Sequence, residues 1–265
     1  MPEGDTIFRA AARLHGALAG HRLVRLEAPR ASGPRPPVGT IIDSVDAVGK
    51  HLLVSFADGI VLRTHMRMSG SWHVYRPGER WQKPVHLVRA LVEVDDWVAV
   101  CFSAPVVELE RSPAVGHLGP DLCRPDADLD ECVSRMATQA DPGTELADVL
   151  LDQRIACGVG NVYKSEVCWA CRVSPRAPIG AIDEVTRREL LETATRQLRA
   201  NLGAGPRQTV SGAPGALAVY GRAGQACRRC GHPIRVARTG PYARSTYWCP
   251  TCQPPPPVST PDLVR

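Results

Sequence analysis

The sequence predicts an α+β, multidomain protein: a β-sandwich flanked by helix, a helical domain, and a small C-terminal module stapled by metal. Three observations carry this expectation. Strand-like runs, alternating in hydropathy and rich in β-branched residues, occupy 51–66 and 87–102. Beyond residue 140 the apolar spacing returns to three and four, interrupted by Gly and Pro. Two C-x2-C pairs then stand eighteen residues apart near the C-terminus. A length of 265 residues suits about two domains, and 44% hydrophobic residues with a mean hydropathy of −0.14 suffice for real cores.

The first helix is predicted from Asp5 to Ala19, because Ile7, Phe8, Ala11, Leu14 and Leu18 share one face. It begins directly after Pro2 and Glu3. Pro2 is small, so Met1 should be removed, leaving a free secondary amine beside a carboxylate. On local grounds two readings stay open. Pro2 and Glu3 either have a chemical role or merely start a helix whose positive end suits an acid. After the Pro-rich loop APRASGPRPPVG, HLLVSFADGIVLRTHM reads as a hairpin turning at Asp58-Gly59, and LVRALVEVDDWVAVCF as another around Asp95-Asp96. Residues 1–120 therefore form one β-rich domain, and 121–143 an acidic connection with one short helix. Residues 144–222 form the helical domain. Its first helix is predicted to start at Asp141-Pro142 and to carry Leu146, Val149 and Leu150. RIACGVGN breaks it, Asn161 caps a second helix to about Cys171, and Asp183 caps a third that stops at Gly203. GAGPRQTVSGAPGA is a loop with freedom to move, 223–253 the cysteine module, and 254–265 a proline-rich, disordered tail.

No run of residues is long and apolar enough to span a bilayer, and the acidic start does not read as a signal peptide, so a cytoplasmic location is expected. The net charge of +5 is unevenly spread. From Thr193 to Thr260 there are nine arginines and no Asp or Glu, which suits a nucleic acid partner or, more blandly, a solvated basic face.

The most specific motif is CRRC…CPTC. Cys227, Cys230, Cys249 and Cys252 fit one tetrahedral zinc ion held by two tight turns. All four positions are filled, so the zinc should be structural and supply folding energy to a module too small for its own core. Between the pairs, a hairpin places Arg244 near its tip, either as a phosphate ligand or as a plain surface arginine. GVGN opening a helix offers free amides to an anion and suits a DNA phosphate, or is simply a packing turn. Lys50, in VGKHLL, stands where a loop enters a strand and is ordinarily solvated there. CWAC (Cys168, Cys171) lies inside a predicted helix and reads as buried thiols rather than a redox pair. His51, His65 and His86 lack metal spacing and read as strand or surface histidines.

Together these pieces resemble the formamidopyrimidine-DNA glycosylase/endonuclease VIII family of base-excision repair enzymes, from Pro2 to about Gln253. PEGDT, GKHLL, HMRMSGSW, HLGPDL, LLDQRIACGVGNVYKSE and YGRAGQACRRCG…YARSTYWCPTCQ carry the resemblance, in that order. It implies an N-terminal β-sandwich, a helix–two-turns–helix domain and a zinc finger, with damaged or abasic double-stranded DNA bound between them by a monomer used at the nucleoid. It implies that the Pro2 amine attacks C1′, that Glu3 is the acid/base, and that Lys50 binds phosphate at the lesion and assists catalysis. Asn161 and Arg244 would grip flanking phosphates. Arg67-Met68-Ser69 would fill the void left by the extruded base, with Met68 as the wedge. PEGDT, and the lack of an Arg–Phe pair in CFSAPVVELE, point to the endonuclease VIII branch and oxidised pyrimidines, whereas HMRMSG is closer to the oxidised-purine branch. Oxidised-purine activity, chiefly abasic-site activity, and DNA binding without catalysis are the alternatives.

Overall fold

The computed structural model describes residues 2–255, so Met1 and the expected tail from residue 256 onward lie outside the described residues. α1 spans Gly4–Leu18 and buries Ile7, Ala11, Leu14 and Leu18 of the predicted stripe, with Phe8 half-buried at its edge. That stripe lies against β2 (Ile42–Val48) and β3 (His51–Phe56). Two antiparallel four-stranded sheets form the expected sandwich. One has the order β2, β3, β4 (Val61–His65), β8 (Val106–Glu110). The other runs β1 (Arg25–Glu27), β6 (Val88–Glu93), β7 (Val98–Phe102), β5 (Ser71–Tyr75). The β3–β4 hairpin turns at Asp58-Gly59, where Gly59 takes φ +80° and the Asp58 carboxylate accepts the Ile60 amide at 3.1 Å. Only residues 103–105 join β7 to β8, so no long loop leaves the sandwich there.

The connection carries the expected short helix, α2 (Leu129–Thr138), capped by Asp128. The helix start predicted at Asp141-Pro142 is corrected. The Asp141 side chain accepts the Gly143 amide at 2.8 Å, closing a local turn, and the Leu146 and Ala147 amides go to the carbonyls of Ala177 and Pro175. Only one helical turn, α3 (Leu146–Val149), remains. α4 spans Asn161–Ala170 and α5 Glu184–Ala200. Asp183 caps α5 as predicted, accepting the Thr186 amide at 2.7 Å. α5 stops before Gly203 because the Asn201 side chain turns back to the Gln197 carbonyl and pairs with Gln208 through both its amide atoms.

The C-terminal module is the hairpin β9 (Arg235–Thr239) and β10 (Arg244–Trp248) over a small core of Ala218, Val219, Cys227, Ile234 and Cys249. It docks on α4. The buried Lys164 ammonium donates to Thr246 Oγ1 at 2.8 Å, and buried Glu166 accepts the amides of Ala218, Val219 and Tyr220 at 2.7–2.9 Å. Among the described residues no helix is long and apolar enough to cross a membrane.

Candidate active site

The first amides of a helix have no partner within it. At the start of α4 they are taken by Glu3. Its fully buried carboxylate accepts from Val162 at 2.8 Å, Gly160 at 3.1 Å and Tyr163 at 3.3 Å. A Cβ on Gly160 would stand 2.7 Å from Glu3 Oε1, and one on Gly4 would stand 2.7 Å from Gly158 Cα. Both glycines are therefore required by close approach between the N-terminus and the GVGN turn. The anion at this helix end is the protein's own carboxylate, which corrects the expectation that these amides meet a DNA phosphate. Gly160, not Asn161, is the cap residue. Pro2 precedes the anchored Glu3 by one peptide and is half-buried.

Lys50 closes on the same turn, its Nζ donating to the Val159 carbonyl at 2.5 Å. Burial pulls its ammonium down to about 8; the Glu3 carboxylate opposes this, and Arg244 and Arg207 reinforce it. Lys50 is set by its neighbour Gly49, at φ +58°, whose amide donates to the buried Asp121 carboxylate at 2.7 Å. His51 and His65 pair edge to face, with centroids 4.8 Å apart, and each is lowered to about 4, first by burial and then by its neighbours, His65 and Arg63 for His51 and Lys50 and Arg67 for His65. His86 is exposed.

The sequence gives no hint of Arg207. Its guanidinium grips the fully buried Asp5 through two hydrogen bonds of 2.8 and 2.5 Å, reaches Thr6 at 3.1 Å, and lies 3.8 Å from Glu3 Oε1. It also lies over the Tyr163 ring at 4.9 Å. Burial disfavours its charge, but Asp5 and Glu3 more than compensate, so it is held above its ordinary value. The loop expected to move is thus tied at Arg207 to the first turn of α1.

Of the predicted DNA-binding residues, Arg244 is exposed at the start of β10. Asn161 is buried, and its amide nitrogen donates to the Ser245 carbonyl at 2.8 Å, joining the start of α4 to the start of β10. Met68 is 70% exposed on the β4–β5 turn, next to Arg67 at φ +44°. Ser69 is committed within the protein, donating to the Ser103 carbonyl at 3.1 Å.

The sulfurs of Cys227, Cys230, Cys249 and Cys252 lie within 4.8 Å of one another, with pairs at 3.4 and 3.9 Å. Four Zn–S bonds of about 2.3 Å place tetrahedral sulfurs about 3.8 Å apart, so the set fits zinc. Burial opposes ionisation of Cys227, but donors from Trp169 and the Arg229 and Cys230 amides pull the thiol down to about 6. Cys168 is fully buried and Cys171 partly so, Cys171 contacting Thr193 Oγ1; burial raises both thiols, as expected of structural cysteines.

Glu3, the GVGN turn, Lys50 and Arg207 thus converge on one place beside Pro2. Family models match throughout: the formamidopyrimidine-DNA glycosylase N-terminal domain over residues 1–105, its H2TH domain over 118–211, and the zinc finger found in FPG and IleRS over 224–255. A probable endonuclease 8 2 of Streptomyces coelicolor is 43% identical over 262 residues, covering 96% of this chain and 94% of that one. The DNA-(apurinic or apyrimidinic site) lyase Nei2 of Mycolicibacterium smegmatis is 38% identical, covering 96% and 99%. The fold is shared with Lactococcus lactis formamidopyrimidine-DNA glycosylase bound to abasic-site DNA, at TM-score 0.80, 21% identity and coverage of 96% and 100%. The chain belongs to the formamidopyrimidine-DNA glycosylase/endonuclease VIII family of DNA glycosylases and abasic-site lyases.

Proposed function

We propose that the protein removes oxidised pyrimidines from duplex DNA and cuts the resulting abasic strand, with Pro2 as nucleophile. The anchoring of Glu3 carries the covalent part of this reading: three amides and a nearby guanidinium hold a carboxylate one residue from a secondary amine. The Pro2 nitrogen attacks C1′ and the base leaves with the bonding pair of the glycosidic bond. Glu3 takes up the proton that the Pro2 amine loses on bonding to C1′ and passes it to the sugar ring oxygen as the ring opens, leaving an iminium, while the departed base takes a proton from solvent. That cation acidifies C2′. Loss of a C2′ proton expels the 3′-phosphate, and a second elimination expels the 5′-phosphate. Lys50 meets the phosphate at the lesion, Asn161 and Arg244 the flanking ones, and Met68 fills the stack from which the nucleotide is drawn. Residues 1–120 then carry the chemistry, and 144–253 the grip on DNA. Zinc, held by the four cysteines, supplies structure only.

Chiefly abasic-site activity is the second reading, favoured by the name of the mycobacterial relative. Borohydride trapping on thymine glycol, 8-oxoguanine and abasic duplexes tests both. Fastest trapping on thymine glycol among the damaged bases, lost or greatly reduced in Pro2→Gly, is the expected result. Trapping on abasic DNA alone selects the second reading. No trapping by zinc-loaded protein lacking Met1 refutes covalent catalysis.

A further inference from the structure

The C-terminal end of α4 is bonded to the four-cysteine site as closely as its N-terminal end is bonded to Glu3. Trp169, in the last turn of α4, points its indole Nε1–H at Cys227 Sγ, 3.4 Å away. An indole nitrogen can only donate, so the sulfur is the acceptor, and a zinc-bound thiolate is the form that accepts best. Arg229, inside the CRRC turn, covers the opposite requirement. Its guanidinium lies over the Trp169 ring at 4.0 Å and donates to the carbonyls of Trp169 at 3.0 Å and Ala170 at 3.3 Å. The Trp169 carbonyl already takes the Arg172 amide at 3.2 Å, so Arg229 adds a second donor there, and a cation at this helix end offsets the helix dipole. One residue of the finger thus caps α4 while one residue of α4 bonds a metal ligand.

We propose that Trp169 and Arg229 are positioning residues through which metal occupancy fixes α4. The finger does more than present Arg244. By holding the far end of a ten-residue helix it steadies the amides of Gly160, Val162 and Tyr163, on which the Glu3 carboxylate rests. A helix of this length is rigid on the scale of its own end-to-end span, about 15 Å, so a shift at Trp169 is carried to Gly160. Glu166 and Lys164, in the middle of the same helix, add attachments to the segment entering the finger and to β10.

Zinc release from the full chain into excess chelator reads the first part. Trp169→Phe keeps the ring under Arg229 but deletes the donor, and loss of an outer partner of a metal ligand typically costs 10–100-fold in affinity. Release about tenfold faster is expected. Trp248→Phe alters the tryptophan that directly precedes Cys249, whose indole donates to no sulfur among the described residues, and should change release less than twofold. Equal rates for Trp169→Phe and wild type overturn the proposal, as does equal acceleration by both variants. Hydrogen exchange of wild type reads the second part and needs no variant to fold. Chelation should speed exchange at residues 160–163 while strands β4 and β7 keep their protection. Unchanged exchange at 160–163 in protein shown to be stripped of zinc overturns the link along α4.

Discussion

Replacing Arg207 by Ala is the sharpest test of how the N-terminus is held. The substitution removes both bonds to Asp5, the bond to Thr6, the cation over Tyr163 and the charge nearest Glu3. Asp5 is fully buried and the Arg207 side chain is 13% exposed, so solvent cannot replace the lost partner. Breaking a buried pair by removing one member costs about 3–5 kcal/mol, because the other charge stays buried. Arg9 is the remaining cation, with Nη2 3.9 Å from Asp5 Oδ2, and its more exposed ion pair returns at most about 1 kcal/mol. A net loss of about 3 kcal/mol is expected, which for a chain of this size is a fall of about 6–12 °C in the melting midpoint. The double variant Asp5→Leu/Arg207→Met removes both charges and should recover most of that loss. Circular dichroism of Asp5→Leu, Arg207→Met and their double variant reads the cycle, beside Arg207→Ala. A midpoint within 2 °C of wild type for Arg207→Ala, or a double variant as damaged as the sum of its singles, would falsify the account. Borohydride trapping by Arg207→Ala should fall at least tenfold even where the protein is fully folded, since a displacement of about 1 Å at a reacting group costs on the order of 100-fold.

Four further outcomes are expected. Gly160→Ala puts a methyl against Glu3, so trapping should drop by two orders of magnitude or so with zinc content unchanged; retained activity would show that the carboxylate contact is dispensable. Burial holds the Lys50 ammonium down at about 8, so, on the proposed role of that ammonium at the lesion phosphate, kcat/KM should decline above about pH 8, with the limb moved to higher pH in Lys50→Arg. The stability effect has the opposite sign: the unfolded chain holds this proton more tightly, so the cost of burying Lys50 eases as pH rises from about 8 to 10.5. Lys164 also titrates near 8, and a limb that stays in place in Lys50→Arg would assign it elsewhere. Arg244→Ala should reduce the slope of log affinity against log salt by about 0.9, the contribution of one phosphate contact, and an unaltered slope would remove Arg244 from the DNA interface.

What the sequence made legible was local. The cysteine spacing, the stripe of α1, the Asp58-Gly59 turn and the Asp183 cap each depend on residues within a few positions of one another, or on a metal that joins two such turns. The candidate site depends on pairs that sequence order hides. Glu3 meets residues about 160 positions away, Arg207 meets Asp5 across 202, and Asp121 meets Gly49 across 72. GVGN shows why a correct local rule can still misplace its ligand. The free amides and the glycines do point to an anion, but nothing in those four residues says whether it is a phosphate or a carboxylate from the chain's first turn. Once Glu3 occupies those amides, a capping side chain at this helix has nothing left to bond. Asn161 is thereby released from the capping role its type suggests, and its amide reaches Ser245 beside Arg244 instead. The same displacement that makes Glu3 a fixed catalytic candidate therefore also couples the helical domain to the finger, and α4 carries both connections.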